Sequence, residues 1–342
     1  MNDKVSVALV GAGYWGKKLL PKFLLNRNSL VRRICDIHAG HRTEMNHAYP
    51  DIPTSESIDS ILSDPSIAAI VLATPPATHF ALARKAIKAR KHVWVEKPLA
   101  LRADEARELV DLSRSSKTVL FVDHTFLYDP AIRKIRALID EGALGLVRHI
   151  YSQRLNLGRI KRDSNVWWNS APHDISIILY LLNSAPTSIA LHGYRYLQAD
   201  LEDLNMAVLE LSGGVSAFIY HNWLFPENSA RLTVIGSKKM VVYEGKFDKR
   251  AVTIYDYVTD AGARTREPAG ELPTTIPSKM IAAQTLPGLT EQEPLAIAIS
   301  DFVASIQHGR APLSDGVFSL KVVETLAAGE QSLQSGGAKI RI

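Results

Sequence analysis

The sequence predicts two domains: an α/β Rossmann domain with a doubly wound parallel sheet, then an α+β domain with a large, mostly antiparallel, open-faced sheet. Three observations lead there. From Val5 to Val122, short apolar runs alternate with helical patterns, as in a parallel sheet covered on both faces. The first run opens directly into Gly11-Ala12-Gly13-Tyr14-Trp15-Gly16. Beyond Val122 the alternation stops, and strand-like runs follow one another with few helices between. A chain of 342 residues is also long for one core, and the division is drawn at 1–123 and 124–342.

Val5 to Val10 is the first strand, and Leu19, Leu20, Phe23 and Leu24 recur behind it with helical period. The glycines between them form G-x-G-x-x-G in the strand-to-helix setting that gives the pattern meaning. Gly11 permits the tight turn, Gly13 lets a pyrophosphate approach bare backbone, and Gly16 allows close helix packing. Tyr14 and Trp15, inside the same turn, are counted with the cofactor contacts. Pro21 lacks a backbone donor and is expected to kink or delay the helix. A second strand, Leu30 to Cys35, ends in Asp36, 20 residues beyond Gly16. A carboxylate there can accept from both adenosine ribose hydroxyls and would repel a 2′-phosphate. NAD is therefore the expected cofactor, with NADP left open by the nearby Arg42.

Ala68 to Ala73 runs into Thr74-Pro75-Pro76-Ala77-Thr78-His79. Paired prolines stiffen this loop, which can flank the cofactor, so Thr74, Pro75 and His79 join the cofactor set; taken alone, His79 reads as a capping or surface residue. Pro76 suits the first turn of a helix reaching Ala89. Val93-Trp94-Val95 is a buried strand whose carboxyl end carries Glu96-Lys97-Pro98, at the edge where open parallel sheets meet ligands. Pro98 pushes Lys97 out of the helical region, so an ionisable amine is presented from a stiff corner, with a cis bond as an option. A helix from Ala103 to Ser113 and a strand from Thr118 to Val122 complete the domain.

In the second domain a helix is predicted over Ala131 to Ile139, then strands over 188–197, 205–211, 215–223, 231–235, 240–243 and 251–255. One helix buries Ile175, Ile178, Leu179 and Leu182; Pro172 is expected at its start and Asp174 in its first turn. Residues 258–292 show no period and read as a long loop, and helices over 294–307 and 317–333 close the chain.

A hydrophobic fraction of 46% and a charged fraction of 22% are those of an ordinary globular protein, and no stretch is long enough to span a bilayer. The single cysteine, Cys35, excludes an intrachain disulfide and a thiolate metal cluster; with a strand already at Val5, a cytoplasmic protein is expected. The net charge of +5 is spread along the chain, and the basic group Arg84, Lys85, Lys88, Arg90 and Lys91 reads as a solvated helix face. Neither nucleic acid nor membrane is an expected partner.

With Gly11 to Gly16, Glu96-Lys97-Pro98 and Ala171-Pro172-His173-Asp174 in order, the chain resembles the glucose-fructose oxidoreductase, inositol dehydrogenase and MocA (Gfo/Idh/MocA) family over nearly its whole length. Gly13-Tyr14-Trp15-Gly16, His124 to Tyr128 and Tyr151 to Arg159 look like a bacterial branch associated with nucleotide-sugar and surface-polysaccharide pathways. The resemblance implies an active-site lysine at Lys97, with Glu96 beside it at the cofactor, and a histidine at His173; the position matching the family's aspartate is Asn169. An amide orients a hydroxyl but cannot take up its proton.

Oxidising a secondary alcohol requires a base at the hydroxyl while hydride leaves the carbon, and Lys97 and His173 both remain candidates for that base. Tyr128, Arg154, Asn156, Trp168 and Asn169 are the further candidate substrate contacts, with Trp167 and Trp168 able either to stack on a ligand or to anchor packing. No metal site is expected, since the 11 histidines lack ligand spacing. The function expected is an NAD-dependent oxidoreductase acting on a ring hydroxyl of a nucleotide-activated hexose. An NAD-dependent glycoside hydrolase without net redox, and a non-catalytic NAD sensor, are the alternatives. Tyr194, Tyr196, Phe218, Ile219, Tyr220 and Trp223 exceed what one helical layer can cover, here 175–182 and 294–307. A homodimer or homotetramer through the second sheet is therefore expected.

Overall fold

The computed structural model describes residues 4–158, 160–246, 249–259, 278–289 and 292–342. The first unit comprises β1 (Val5–Val10), α1 (Gly16–Leu25), β2 (Ser29–Cys35), α2 (Ala39–Ala48), β3 (Thr54–Ser55), α3 (Ile58–Leu62), β4 (Ala69–Leu72), α4 (Pro76–Lys88), β5 (His92–Val95), α5 (Ala103–Ser116) and β6 (Leu120–Val122). Its strands form one parallel sheet in the order β3-β2-β1-β4-β5-β6, which brings the carboxyl ends of β1, β4, β5 and β6 side by side. Pro21 lies inside α1 without ending it, so the expected delay does not occur.

β5 shows how the layers are bound. Val93 and Val95 face one side and pack with α4 and α5, while Trp94 points to the other side. That period of two, buried on both faces, is what a central parallel strand requires. The Trp94 indole stacks on Phe121 at 4.2 Å and meets Phe23 and Phe302 edge-on at 5.5 and 5.7 Å.

After a 3-10 turn (Thr125–Tyr128), the second unit runs through α6 (Pro130–Asp140), β7 (Val147–Leu157), α7 (Val166–Leu182), β8 (Pro186–Tyr194), β9 (Leu204–Leu211), β10 (Ser216–Asn222), β11 (Leu224–Gly236), β12 (Lys239–Lys246), β13 (Lys249–Thr259), β14 (Ser278–Leu286), α8 (Pro294–His308), α9 (Gly316–Gln334) and β15 (Ile340–Arg341). Its nine strands lie in the order β14-β13-β12-β11-β7-β10-β9-β8-β15 and are antiparallel except for β7 beside β10. β14 falls within the stretch expected to be loop; residues 260–277 and 290–291 of that stretch lie outside the described residues. Among the described residues, no helix is long and apolar enough to cross a membrane.

Two expectations are corrected here. α7 begins at Val166, not at Pro172, because the Asn165 side chain accepts from Trp168 N at 3.1 Å and caps it. Pro172 and Asp174 therefore lie mid-helix, and Asp174 is buried instead of lying in the first turn. α8 does not cover the second sheet. Its Leu295, Ile299, Phe302 and Val303 join the core of β1, Trp94 and Phe121, while α7 and α9 cover the second sheet through Ile175, Ile178, Val322 and Leu326.

Trp94 thus clamps β5 between α1, β6 and a helix from the far end of the chain. Trp94→Ala should cost about 3–5 kcal/mol in urea unfolding, as expected for emptying a packed aromatic site. Trp94→Phe should cost far less, because the buried indole N–H has no hydrogen-bond partner to lose.

Candidate active site

The glycine loop follows from steric necessity. Gly11 has φ of +94°, and a Cβ on it would meet Ala73 O at 2.6 Å; a Cβ on Gly16 would sit 1.9 Å from Gly11 O. At Gly13 the nearest atom to such a Cβ is His41 Cε1 at 4.0 Å, which leaves the backbone open at the amino end of α1. Asp36 is buried at the end of β2, where its carboxylate accepts from Ala12 N at 2.7 Å, His38 N at 2.8 Å and His41 Nδ1 at 3.0 Å. Burial opposes its ionisation, but these bonds outweigh burial and hold its pKa below the usual carboxylate value. Arg42 is committed elsewhere, donating to Asp36 O, Ile37 O and Glu56. Tyr14 is exposed under Lys18, and Trp15 turns inward, its Nε1 donating to Glu96.

At the next strand ends, His79 is fully buried, which corrects its reading as a surface or capping residue. Its Nδ1 lies 2.7 Å from Pro98 O and its Nε2 lies 2.9 Å from Thr74 O, so it ties the Thr74-Pro75 loop to the corner carrying Lys97. The Lys97–Pro98 bond is cis.

Lys97 Nζ donates to Asn169 O on α7 at 2.7 Å. Asn169 and His173 are one helical turn apart, so this bond brings the amine to the helix face that carries the imidazole. The His173 Nδ1 is enclosed without a partner, and its ring meets Phe126 edge-on at 5.1 Å. Arg154 on β7 lies over the same Phe126 ring at 4.4 Å and donates to Asp174 Oδ2 at 2.8 Å. Asp174 also accepts from Ser152 Oγ at 2.6 Å and His221 Nε2 at 2.9 Å, and His221 Nδ1 lies 3.0 Å from Asn205 Oδ1.

Burial brings the Lys97 pKa down to about 8; Glu96 pulls the other way, while Arg154 and Lys161 add to the depression. Burial, with Lys97 and Arg154 adding to it, holds His173 well below the usual imidazole value. For Asp174 burial works against ionisation, but Arg154 and His221 outweigh it and set the carboxyl at about 2. The cleft therefore combines a neutral imidazole, an amine that can lose its proton near neutral pH, and an anchored guanidinium.

A family profile described as "Oxidoreductase family, NAD-binding Rossmann fold" matches residues 5–124, and the Gfo/Idh/MocA C-terminal domain profile matches residues 132–242. The chain belongs to the Gfo/Idh/MocA family. A relative from Escherichia coli, the uncharacterized oxidoreductase YdgJ, is 31% identical over 191 residues, covering 53% of this chain and 55% of its own. This chain thus spans only about half the length of that relative. The UDP-N-acetylglucosamine 3-dehydrogenase of Acidithiobacillus ferrooxidans is 25% identical over 268 residues, covering 78% of each chain. The solved structure of that enzyme has the same fold, with a TM-score of 0.81 over 97% of this chain and 98% of its own at 22% identity.

The NAD of the family fits the residues present. The bare backbone at Gly13 faces the amino end of α1, where a pyrophosphate is stabilised. A carboxylate offers about four lone-pair positions, and Asp36 spends three of them on the protein, leaving one to accept from a ribose hydroxyl. Thr74, Pro75, Glu96 and Lys97 stand on the adjoining strand ends.

The other expected residues have different surroundings. Tyr128 is fully buried, with its hydroxyl donating to Asp301 Oδ2 at 2.7 Å, so it belongs to the core and not to the cleft wall. Trp168 is half-buried, with its Nε1 donating to Glu330 at 3.1 Å, and Trp167 is a packing anchor bonded to Leu326 O. Asn156 is half-buried near the end of β7, its side chain close to Gly158. Sequence reasoning missed Asp123 and His124, although their place at the end of β6, on the same edge as Lys97, was a usable signal. It also missed Ser152 and His221, which only strand pairing brings under Asp174.

Asp36 is expected to make NAD bind more tightly than NADP. Asp36→Ala should weaken NAD by about tenfold or more, the scale of lost bonds to a charged group, and narrow the gap between the cofactors. Isothermal titration of both cofactors checks this, and tighter NADP binding by the unmodified protein would refute it.

Proposed function

We propose that the protein is an NAD-dependent oxidoreductase that transfers hydride between a ring carbon of a sugar and nicotinamide, with a nucleotide-activated hexose as substrate and C3 as the reacting carbon. The observation that carries this reading is the bond from Lys97 to Asn169 O, which draws an amine of lowered pKa to the His173 face of α7. The similarity to a UDP-N-acetylglucosamine 3-dehydrogenase supports the substrate class. So does the positive charge of Arg154 and Lys161 beside Lys97, which suits a diphosphate.

Bound NAD supplies the hydride acceptor at nicotinamide C4. Neutral Lys97 takes the hydroxyl proton, and its bond to Asn169 O fixes the direction from which it does so. His173, held neutral, orients the sugar through ring nitrogens that can donate or accept. Arg154 is locked by Asp174 and Phe126, so its guanidinium meets the substrate already oriented. In the direction of ketone reduction the same groups act in reverse, with Lys97 returning the proton.

The two candidate bases predict different pH profiles. If Lys97 is the base, kcat/KM for oxidation of a UDP-hexose rises as pH approaches about 8, because only the neutral amine accepts a proton. If His173 were the base, the profile would be flat from well below pH 6.5 upward. Lys97→Ala and His173→Ala should each lower turnover by about a hundredfold or more. Near-normal turnover in both variants, or no nicotinamide reduction with any sugar offered, would refute the assignment.

The second sheet also supports a homo-oligomer. Phe218, Met206 and Tyr194 are 42%, 51% and 52% exposed on the side away from α7, with Val208 and half-buried Tyr220 beside them. Ile219 and Trp223 are buried, so of the six residues expected to exceed one helical layer these two are covered while Tyr194, Tyr196 and Phe218 are exposed. An apolar patch on an open sheet face is best covered by a second copy in a closed two-fold arrangement. Light scattering after size exclusion should give at least a dimer, and Phe218→Lys together with Met206→Lys should dissociate it. A single-chain mass for the unmodified protein would end the proposal.

A further inference from the structure

Two ribose hydroxyls need two acceptors, and Asp36 has room for one. Its Oδ2 accepts from Ala12 N at 2.7 Å and from His41 Nδ1 at 3.0 Å, and its Oδ1 accepts from His38 N at 2.8 Å. Of about four lone-pair positions on the carboxylate, one therefore remains. Arg42, the next residue along α2, cannot supply the second acceptor. A guanidinium only donates, and this one is already bonded to Asp36 O, Ile37 O and Glu56.

His41, in the first turn of α2, can. An ionised carboxylate only accepts, so the proton in the bond to Asp36 sits on His41 Nδ1, and in the neutral ring Nε2 is then a bare acceptor. Nε2 has no partner among the described residues, and the side chain keeps 37% of its surface exposed. The ring is held in place, by Asp36 at Nδ1 and by His38, which meets it edge-on at 5.3 Å. Its Cε1, the carbon between the two nitrogens, is 4.0 Å from the point that a Cβ on Gly13 would occupy. The imidazole thus borders both the carboxylate and the bare backbone, the two features that fit the cofactor. We infer that His41 is a cofactor-binding residue, its Nε2 accepting from one adenosine ribose hydroxyl of NAD while Asp36 accepts from the other. Asp36 then has two tasks, since its bond to Nδ1 also selects the tautomer that makes His41 an acceptor. The inference goes beyond the dehydrogenase reading and does not depend on which sugar is oxidised.

Isothermal titration of NAD and of its adenosine-ribose 2′-deoxy and 3′-deoxy analogues, at about pH 8 and so above the ordinary imidazole range, tests this without turnover. Both analogues should bind the unmodified protein more weakly than NAD does, by about fivefold for the hydroxyl that His41 accepts, the scale of one neutral hydrogen bond. His41→Asn keeps an amide nitrogen where Nδ1 stood and can still donate to Asp36, but it lacks Nε2. It should weaken NAD by about fivefold and bind one of the two analogues as tightly as the unmodified protein does. Full NAD affinity in His41→Asn would mean that the imidazole only holds Asp36, and would overturn the inference. So would equal weakening of NAD and both analogues in that variant, or an analogue that binds the unmodified protein as tightly as NAD. Failure to oxidise any sugar would count against the dehydrogenase reading and leave these affinities unchanged.

Discussion

The hydrogen bond from Lys97 to the Asn169 carbonyl is the contact on which the rest of the cleft depends. It joins the carboxyl end of β5 to the first turn of α7, and so couples the sheet that meets the cofactor to the helix that faces the second sheet. Each side is built to hold its end of the bond. Trp94 wedges β5 between α1, β6 and α8, and His79 secures the corner through Pro98 O. On the other side, Asp174 fixes α7 to β7 and β10 through Ser152, Arg154 and His221.

The electrostatics follow from that enclosure. Burial costs each ionisable group its charged form unless a partner compensates, and the groups here divide on that criterion. Asp174 has Arg154 and His221 and stays ionised. His124 and His173 have no anion close enough and stay neutral, with His124 lowered to about 3. Lys97 lies between these cases, with Glu96 and Asp123 on one side and Arg154 and Lys161 on the other, and that balance brings its proton within reach near neutral pH. Preorganised charge of this kind is available without rearrangement at the moment of reaction.

Much of the first domain was legible because its signals are local. Uninterrupted apolar runs, the glycine spacing and the Glu-Lys-Pro corner each lie within a few residues. Two of the errors came where contacts are remote, and one where two local signals competed. α8 was read as a cover for the second sheet, yet its Phe302 packs on Trp94 and Phe121, a pairing between distant segments that periodicity does not encode. Tyr128 reads as a candidate substrate contact in the sequence, and only the fold brings Asp301 to its hydroxyl. The start of α7 was misjudged because Pro172 outweighed a local signal, the Asn165 cap seven residues earlier. Asp174 was then read as a helix-end charge, when it holds the Arg154 guanidinium beneath the cleft.

The claim that enclosure makes Lys97 a usable base can be tested on the lysine itself. Competitive acylation of the folded protein across a pH series, with labelling at each lysine followed by mass spectrometry, reports every amine's titration separately. Lys97 should reach half-maximal reactivity at or below about pH 8, roughly two units under the exposed lysines of the same molecule. Titration of Lys97 together with those exposed lysines would contradict the account.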